Sequence, residues 1–442
     1  MRCSTPLFLS ALAVLLLGGI AVPLWRNEGL RALLAAEARA TGEWMVPHLY
    51  GEPHLAKPPG MGILIALCSP FGVSAVTARL PSVLAGVALI AMAWAVFSRR
   101  FGTSAGLAAA ALMPCSLLWL DRVPSAEIDL VQAAWVAGSL LCLLHAVERP
   151  GWWFGAMTCV AGGFLTKWTA PAFFYLTALA WLTPQRKLHL LLSRGHLLAL
   201  AGLVLLMAGW LSAVGQSVGW ATLMDALGRE ALMRLSPSHH PRPYPWGELA
   251  TFPLSFLGGC LPAALLLPFA WKRTGDERQA ALVSLCWAWL LSSLVFWTVV
   301  PGHRPRHILP AQPAVAMLAA CGFLQARFSP RLLPVFLACW LGVKLGHVGL
   351  VMPRRPHAEG SAALLRTLVP EGRTLWLEGV KDEGVMFAYG RPARRGPAPP
   401  GEWCLMPGQG SDGLRDSQGS PLVLRRGKPY PPGDALTGRN ER

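Results

Sequence analysis

The residues able to do chemistry in this sequence fall in short clusters between long apolar runs. Asn27-Glu28 stands between Arg26 and Arg31, directly after the first run. A carboxylate there can take a proton from an acceptor hydroxyl or amine. Asn before Glu also suits a helix start, where a polar side chain and a negative charge satisfy free backbone N–H groups. Lys57-Pro58-Pro59-Gly60 holds a cation at a defined point, because proline restricts its own backbone and that of its predecessor. A fixed ammonium suits a phosphate; an interfacial lysine before a helix would look the same. Asp121-Arg122 and Glu127-Ile128-Asp129 crowd three acids against an apolar run, which is costly unless they face water or a partner.

Lys167, in Leu165-Thr166-Lys167-Trp168, divides two short apolar halves. It either snorkels to the surface or marks a break in the helices. His239-His240, in a proline-rich stretch, offers two imidazoles to a divalent metal but has no carboxylate nearby, so a solvated loop is favoured and no cofactor or metal is expected. In Pro301-Gly302-His303-Arg304-Pro305-Arg306-His307, the planar fork of Arg306 matches phosphate, with an interfacial arginine as the simpler alternative.

The elements that must position these clusters are membrane spans. Of 442 residues, 53% are hydrophobic and 14% charged, and the mean hydropathy is +0.43. A soluble domain carries about 25% charged residues, so the composition is that of an all-α polytopic membrane protein. The 19 Trp against 5 Tyr fit amphipathic rings at lipid headgroups. The net charge of +16 is read as cytoplasmic anchoring and not as nucleic-acid binding, because no basic block is interleaved with aromatics. Nine of the ten cysteines lie in or beside apolar runs without metal-type spacing, so they read as packing residues.

About eleven spans are expected, near 6–24, 77–97, 103–120, 128–147, 152–166, 168–183, 196–215, 251–271, 280–300, 309–326 and 331–352. Arg99-Arg100, Arg186-Lys187, Lys272-Arg273 and Arg327 with Arg331 then share one side, which the positive-inside rule makes cytoplasmic. The N-terminus is cytoplasmic in this layout, and loops 25–76, 121–127, 216–250 and 301–308 face outward. Two interfacial helices are expected in the first outward loop, over 29–41 and 61–70. Residues 1–352 form the transmembrane domain, and 353–442 a small extracytoplasmic α/β appendage whose end is expected to be disordered. Its strand-like pieces are 374–377, 385–389, 403–406 and 422–424. The outward face thus gathers acids and cations, as a site for an anionic, lipid-borne ligand would.

The order of motifs adds a resemblance. Asn27-Glu28 is followed by Thr41-Gly42-Glu43-Trp44-Met45-Val46-Pro47, Lys57-Pro58-Pro59, Ala78-Arg79-Leu80-Pro81-Ser82, Leu165-Thr166-Lys167 and Arg306-His307-Ile308-Leu309-Pro310. This resembles the polyprenyl-phosphate-sugar-dependent glycosyltransferases of family 39, the protein mannosyltransferase and aminoarabinose transferase (ArnT-like) group with the GT-C fold. The likeness covers residues 5–350. Family members carry Asp-Glu where this chain has Asn27-Glu28, an arginine where Leu30 stands, and often Glu where Ala56 stands.

The resemblance implies a membrane glycosyltransferase that takes a sugar from a polyprenyl phosphate and passes it, with inversion, to an extracytoplasmic lipid, glycan or protein. Polyprenyl phosphate leaves as a stable anion, so one base and several cations suffice, where ordinary glycosides need two carboxylates. Glu28 or Asp129 would be the base; Lys57, Lys167 and Arg306 would hold phosphate; Asn27, Arg26, Arg122 and His307 complete the expected substrate contacts. The expected location is a bacterial inner membrane, with the site on the periplasmic side. A lipid-linked-sugar carrier or flippase and a catalytically degenerate GT-C scaffold are the alternatives. Asn27 favours the carrier, while charges at helix ends and not at mid-membrane speak against it, and outward acids lying far apart would favour the degenerate scaffold.

Overall fold

Uncharged runs of Leu, Ala and Val satisfy their backbone groups in lipid by coiling into helices. The computed structural model describes residues 4–25, 27–235, 246–271, 276–300, 304–329, 331–355, 358–409, 413–416 and 418–427. Helix α1 (Ser4–Leu17) leads to α2 (Asn27–Thr41), a hairpin of β1 (His48–Leu49) and β2 (Glu52–Pro53), and α3 (Gly60–Leu67). The bundle continues through α4 (Ala75–Phe101), α5 (Thr103–Leu112), α6 (Leu117–Arg122), α7 (Ile128–Ala146), α8 (Trp152–Thr166) and α9 (Ala170–Leu182). It is completed by α10 (Arg194–Val218), α11 (Trp220–Leu235), α12 (Trp246–Gly259), α13 (Glu277–Val299), α14 (Gln312–Gln325) and α15 (Leu332–Gly346).

Among the described residues, 6 helical stretches are long and apolar enough to cross a membrane: 75–101, 128–146, 194–218, 277–299, 305–325 and one beginning at Leu332. Other expected spans are shorter helices, such as α1 with 14 residues, α8 with 15 and α9 with 13. Two expected spans, 103–120 and 251–271, are each broken in the middle. Pro114 separates α5 from α6, and Pro262 separates α12 from a 3-10 helix over Ala263–Trp271. The two breaks meet: Ser116 bridges Pro262, and Leu117 N donates to Leu261 O at 3.0 Å. Gln312 Nε2 caps Met113 O at 2.9 Å and Trp340 Nε1 caps Pro114 O at 3.1 Å. Carbonyls freed by proline thus find partners inside the bundle, as a low-dielectric interior requires.

The basic end of α4 lies against the start of α13, with Gln279 Nε2 donating to Arg100 O at 2.8 Å. The candidate chemical residues lie at the other end of α4. There, Ser74 and Thr77 form a reciprocal cap, each side-chain oxygen accepting the other's backbone N–H, at 3.2 and 2.9 Å.

The chain closes with α16 (Ala358–Leu368), β3 (Leu375–Leu377), α17 (Glu383–Tyr389), β4 (Ala393–Arg395), β5 (Trp403–Pro407) and β6 (Leu422–Arg426). The sheet order is β4-β3-β5-β6, parallel except for β5 against β6. A separate hydrophobic core, including Leu365, Leu375, Val385 and Leu405, fills this small unit. Residues 385–389 correct the sequence reading, being helix and not strand. Asp382 accepts from Val385 N at 3.1 Å at one end, and Gly390, with φ of 64°, stops the helix at the other. A short apolar run fits either element by periodicity, and these caps decide for the helix.

Candidate active site

Glu28 opens α2 and is buried. Its Oε1 accepts from Arg79 Nε at 2.9 Å and from Ala126 N at 2.8 Å. Its Oε2 accepts from Arg79 Nη2 at 2.7 Å and from Trp25 N at 2.9 Å. A carboxylate offers about four acceptor positions, and all are filled here. Arg79 turns its other N–H groups to the carbonyls of Gly19, Ile20, Val22 and Pro23 beyond α1. One ion pair therefore fastens the exit of α1, the start of α2, the first turns of α4 and the segment before α7.

A cleft enclosing about 600 Å³, open space included, lies beside this pair. Its polar lining is Glu28, Arg79, Asp121, Arg122, Ser125, Glu127, Arg306 and Arg355. Glu127 caps α7 in extended backbone, its N–H donated to Ser125 Oγ at 3.2 Å. Its carboxylate lies 3.7 Å from Arg306 Nη1, a looser pairing than that of Glu28. Burial, reinforced by the nearby Asp129, pushes the Glu127 pKa up, against the opposing pull of Arg31, Arg306 and Arg122. At the rim, Asp121 lies 3.1 Å from both Arg122 Nε and Arg355 Nη2, and Arg355 covers the Trp25 ring at 4.4 Å.

Behind Glu127, Lys167 Nζ donates to Asp129 Oδ1 at 2.8 Å, and both side chains are buried. Lys167 terminates α8 in extended backbone, so it marks the break that the sequence allowed. Lys57 approaches the same region. A Cβ on Gly60 would lie 2.5 Å from Leu165 O, so only glycine lets the Lys57-Pro58-Pro59 segment pack flush on the end of α8. Trp168 Nε1 and Lys57 Nζ both donate to Ala56 O, at 3.5 and 2.7 Å. Arg31, buried on α2, senses Glu127, Asp129 and Glu383; burial still draws its pKa down from the ordinary value. It lines a second cavity of about 330 Å³ between α2 and α3, with Leu34, Trp44, Pro58 and Met61.

Of the residues singled out in the sequence, Glu28, Arg122 and Arg306 line the cleft, and Asp129 and Lys167 pair beneath it. Asn27 is exposed on the first turn of α2, and His307 packs on Trp297 with ring centres 5.4 Å apart. Arg26, His239 and His240 lie outside the described residues. Among the described residues no group of three or more His, Cys, Asp or Glu is placed to hold a metal. Sequence reasoning gave no role to Arg79, Glu127 or Arg355. A charge inside the long apolar helix α4 was the available signal for Arg79; Glu127 stood unranked within its acidic cluster, and Arg355 gave none.

This architecture superimposes on that of ArnT from Cupriavidus metallidurans bound to undecaprenyl phosphate, with a TM-score of 0.78 over 89% of this chain and 86% of the other. The chain has the GT-C fold of ArnT. Sequence identity to that structure is 18%, and the apo form of the same protein gives a TM-score of 0.72. The chain is 28% identical over 318 residues to the undecaprenyl phosphate-alpha-4-amino-4-deoxy-L-arabinose arabinosyl transferase of Pseudomonas aeruginosa (strain LESB58). That match covers 68% of this chain and 56% of the relative. The corresponding transferase 2 of Sodalis glossinidius is 29% identical over 310 residues, covering 67% and 55%. The chain thus spans a little over half the length of the curated relatives it matches. The family described as dolichyl-phosphate-mannose-protein mannosyltransferase matches residues 56–212. The fold expected from the motif order is the one observed, and the expected family is the one these similarities point to.

Proposed function

We propose that this protein is a membrane glycosyltransferase that moves a sugar from a polyprenyl phosphate to an extracytoplasmic acceptor, inverting the anomeric centre. The observation that carries the proposal is the cleft itself, where Arg79, Arg122, Arg306 and Arg355 surround Glu28, Asp121 and Glu127. Such a site supplies cations to a departing phosphate and a carboxylate to an incoming nucleophile, and the departing anion needs no general acid.

Within this reading each carboxylate has its own task. Glu28, with every acceptor position filled, holds Arg79 and the start of α2 in place. Asp129 anchors Lys167, whose ammonium has further protons for a phosphate. Glu127 is the base: it faces the cleft, is loosely paired, and has a pKa raised above the ordinary carboxyl value, which makes it a stronger proton acceptor once ionised. Arg306, Lys57 and Lys167 hold the donor phosphate, and Arg122 and His307 border the donor. Residues 1–352 form the membrane-embedded domain and 353–442 the extracytoplasmic unit. Arg99 and Arg100 at the end of α4 support a cytoplasmic position for that end of the bundle, with the N-terminus there and the cleft on the periplasmic face of an inner membrane.

The test is release of undecaprenyl phosphate from undecaprenyl-phosphate-linked sugars by purified protein in lipid, starting with 4-amino-4-deoxy-L-arabinose and an envelope extract as acceptor. Transfer that depends on Glu127 and Arg306 is the expected result. Movement of lipid-linked sugar across vesicles without product would replace the proposal with a carrier.

A further inference from the structure

The C-terminal unit meets the membrane helices along one seam. Gly29, the residue after Glu28, has the backbone of α17 directly against it. A Cβ there would lie 2.5 Å from both Glu383 O and Gly384 Cα. Glu383 is buried at this contact, and Arg395 Nη2 of β4 donates to its Oε1 at 2.7 Å. Arg395 also covers the Tyr50 ring at 5.3 Å. The backbone N–H groups of Tyr50 and Gly51 donate to the carboxylate of Glu37 on α2, at 2.6 and 3.2 Å. Tyr50 and Leu33 pack against the core of the C-terminal unit. A single clasp therefore joins α2, the hairpin that follows it and the C-terminal unit.

Charge crosses the same seam. Arg31 on α2 feels Glu127 and Asp129 most, and Glu383 of the C-terminal unit more weakly. Arg31 is buried, and its Nε has no hydrogen-bond partner. Arg31 is buried only while α2 stays packed, so its exposure reports on the seam.

Building on the glycosyltransferase reading, we propose that Glu383 is a positioning residue for the cleft. From the C-terminal unit it fixes the first turn of α2, which carries Glu28 of the cleft, so the site is complete only with that unit docked. Backbone contact at Gly29 sets the distance, and the Glu383–Arg395 ion pair holds β4 and Tyr50 to the seam.

The test uses the full chain in detergent, with undecaprenyl phosphate as the binding probe and phenylglyoxal labelling of Arg31 read by mass spectrometry. Glu383→Gln is expected to weaken probe binding about tenfold, the effect of one charge-assisted hydrogen bond, while the melting temperature holds. Glu383→Asp should recover most of the affinity. Gly29→Val, which wedges the seam apart, should raise Arg31 labelling severalfold, and Glu383→Gln should raise it less. Glu371→Ala, an exposed carboxylate on the same unit, should change neither readout. Binding and Arg31 labelling that stay at parental levels in Glu383→Gln would overturn the proposal. So would a lowered melting temperature that Glu383→Asp does not recover, since that marks a purely structural residue. A parent protein that fails to bind undecaprenyl phosphate would overturn the glycosyltransferase reading instead, and Arg31 labelling would still decide the role of Glu383.

Discussion

Glu28 and Arg79, 51 residues apart in the chain, form a buried two-pronged ion pair at 2.9 and 2.7 Å. Two further backbone N–H groups complete the carboxylate, and carbonyls beyond α1 complete the guanidinium. A buried pair is tolerable when its remaining hydrogen-bonding capacity is satisfied, and this one is. Its consequence is positional: α2 can start in one place only.

Breaking the pair from either side should therefore unfold before it inactivates. Removing one partner of a buried ion pair costs about 3–5 kcal/mol. Glu28→Gln and Arg79→Lys should each lower the melting temperature of the detergent-solubilised protein sharply. Lysine cannot reproduce the fork. A Glu28→Gln protein as stable as the parent but without transfer activity would instead make Glu28 the base.

Glu127 gives a pH signature. Its pKa is raised by burial and by Asp129, so between the ordinary carboxyl value and the raised one the folded state keeps a proton that the unfolded chain has lost. Stability should fall as pH rises through that window and level off above it. Transfer should rise over the same window, since a base must be deprotonated to act. Glu127→Gln should flatten the stability profile and lower the transfer rate about 10²–10⁴-fold, the usual contribution of such a base. An unchanged rate would remove Glu127 from the chemistry.

What the sequence made legible follows from how local each signal is. Residues 29–41 read as a helix from their own spacing, and α2 spans Asn27–Thr41. The prolines at 114 and 262 were equally visible, but the mutual capping of their breaks depends on segments more than a hundred residues apart. Arg79 stood in a motif that marked the family, yet its partner was not nearby in the chain, and pairing over such a distance leaves no periodic trace. Lys344 is the same case: buried on α15, it donates to Val123 O at 2.5 Å. A lone charge in an apolar helix announces a partner without naming it.

The Asp129–Lys167 pair should behave as a unit. Asp129→Asn and Lys167→Met each leave one buried charge without its counterion, at a cost of about 3–5 kcal/mol. The double substitution leaves neither, so its loss of stability should fall well short of the sum. Thermal melts of the four proteins close the cycle, and additive losses would mean that water already compensates each charge. Donor binding should separate the variants differently, falling in both that lack Lys167 and less in Asp129→Asn.

Gly60 tests whether the two lysines act at one place. The segments that carry them meet through backbone contact between the start of α3 and the end of α8, where a Cβ would meet Leu165 O at 2.5 Å and Leu165 C at 2.7 Å. Neither backbone atom can swing aside as a side chain would, so Gly60→Ala must move α3 outward. Overpacking of this kind costs about 1–3 kcal/mol. If Lys57 and Lys167 grip one phosphate, the displacement should also weaken binding of undecaprenyl phosphate, and Lys57→Ala should then add little to Gly60→Ala. Full additivity of the two substitutions on binding would show that Lys57 acts apart from Lys167 and that the close packing at Gly60 serves the fold alone.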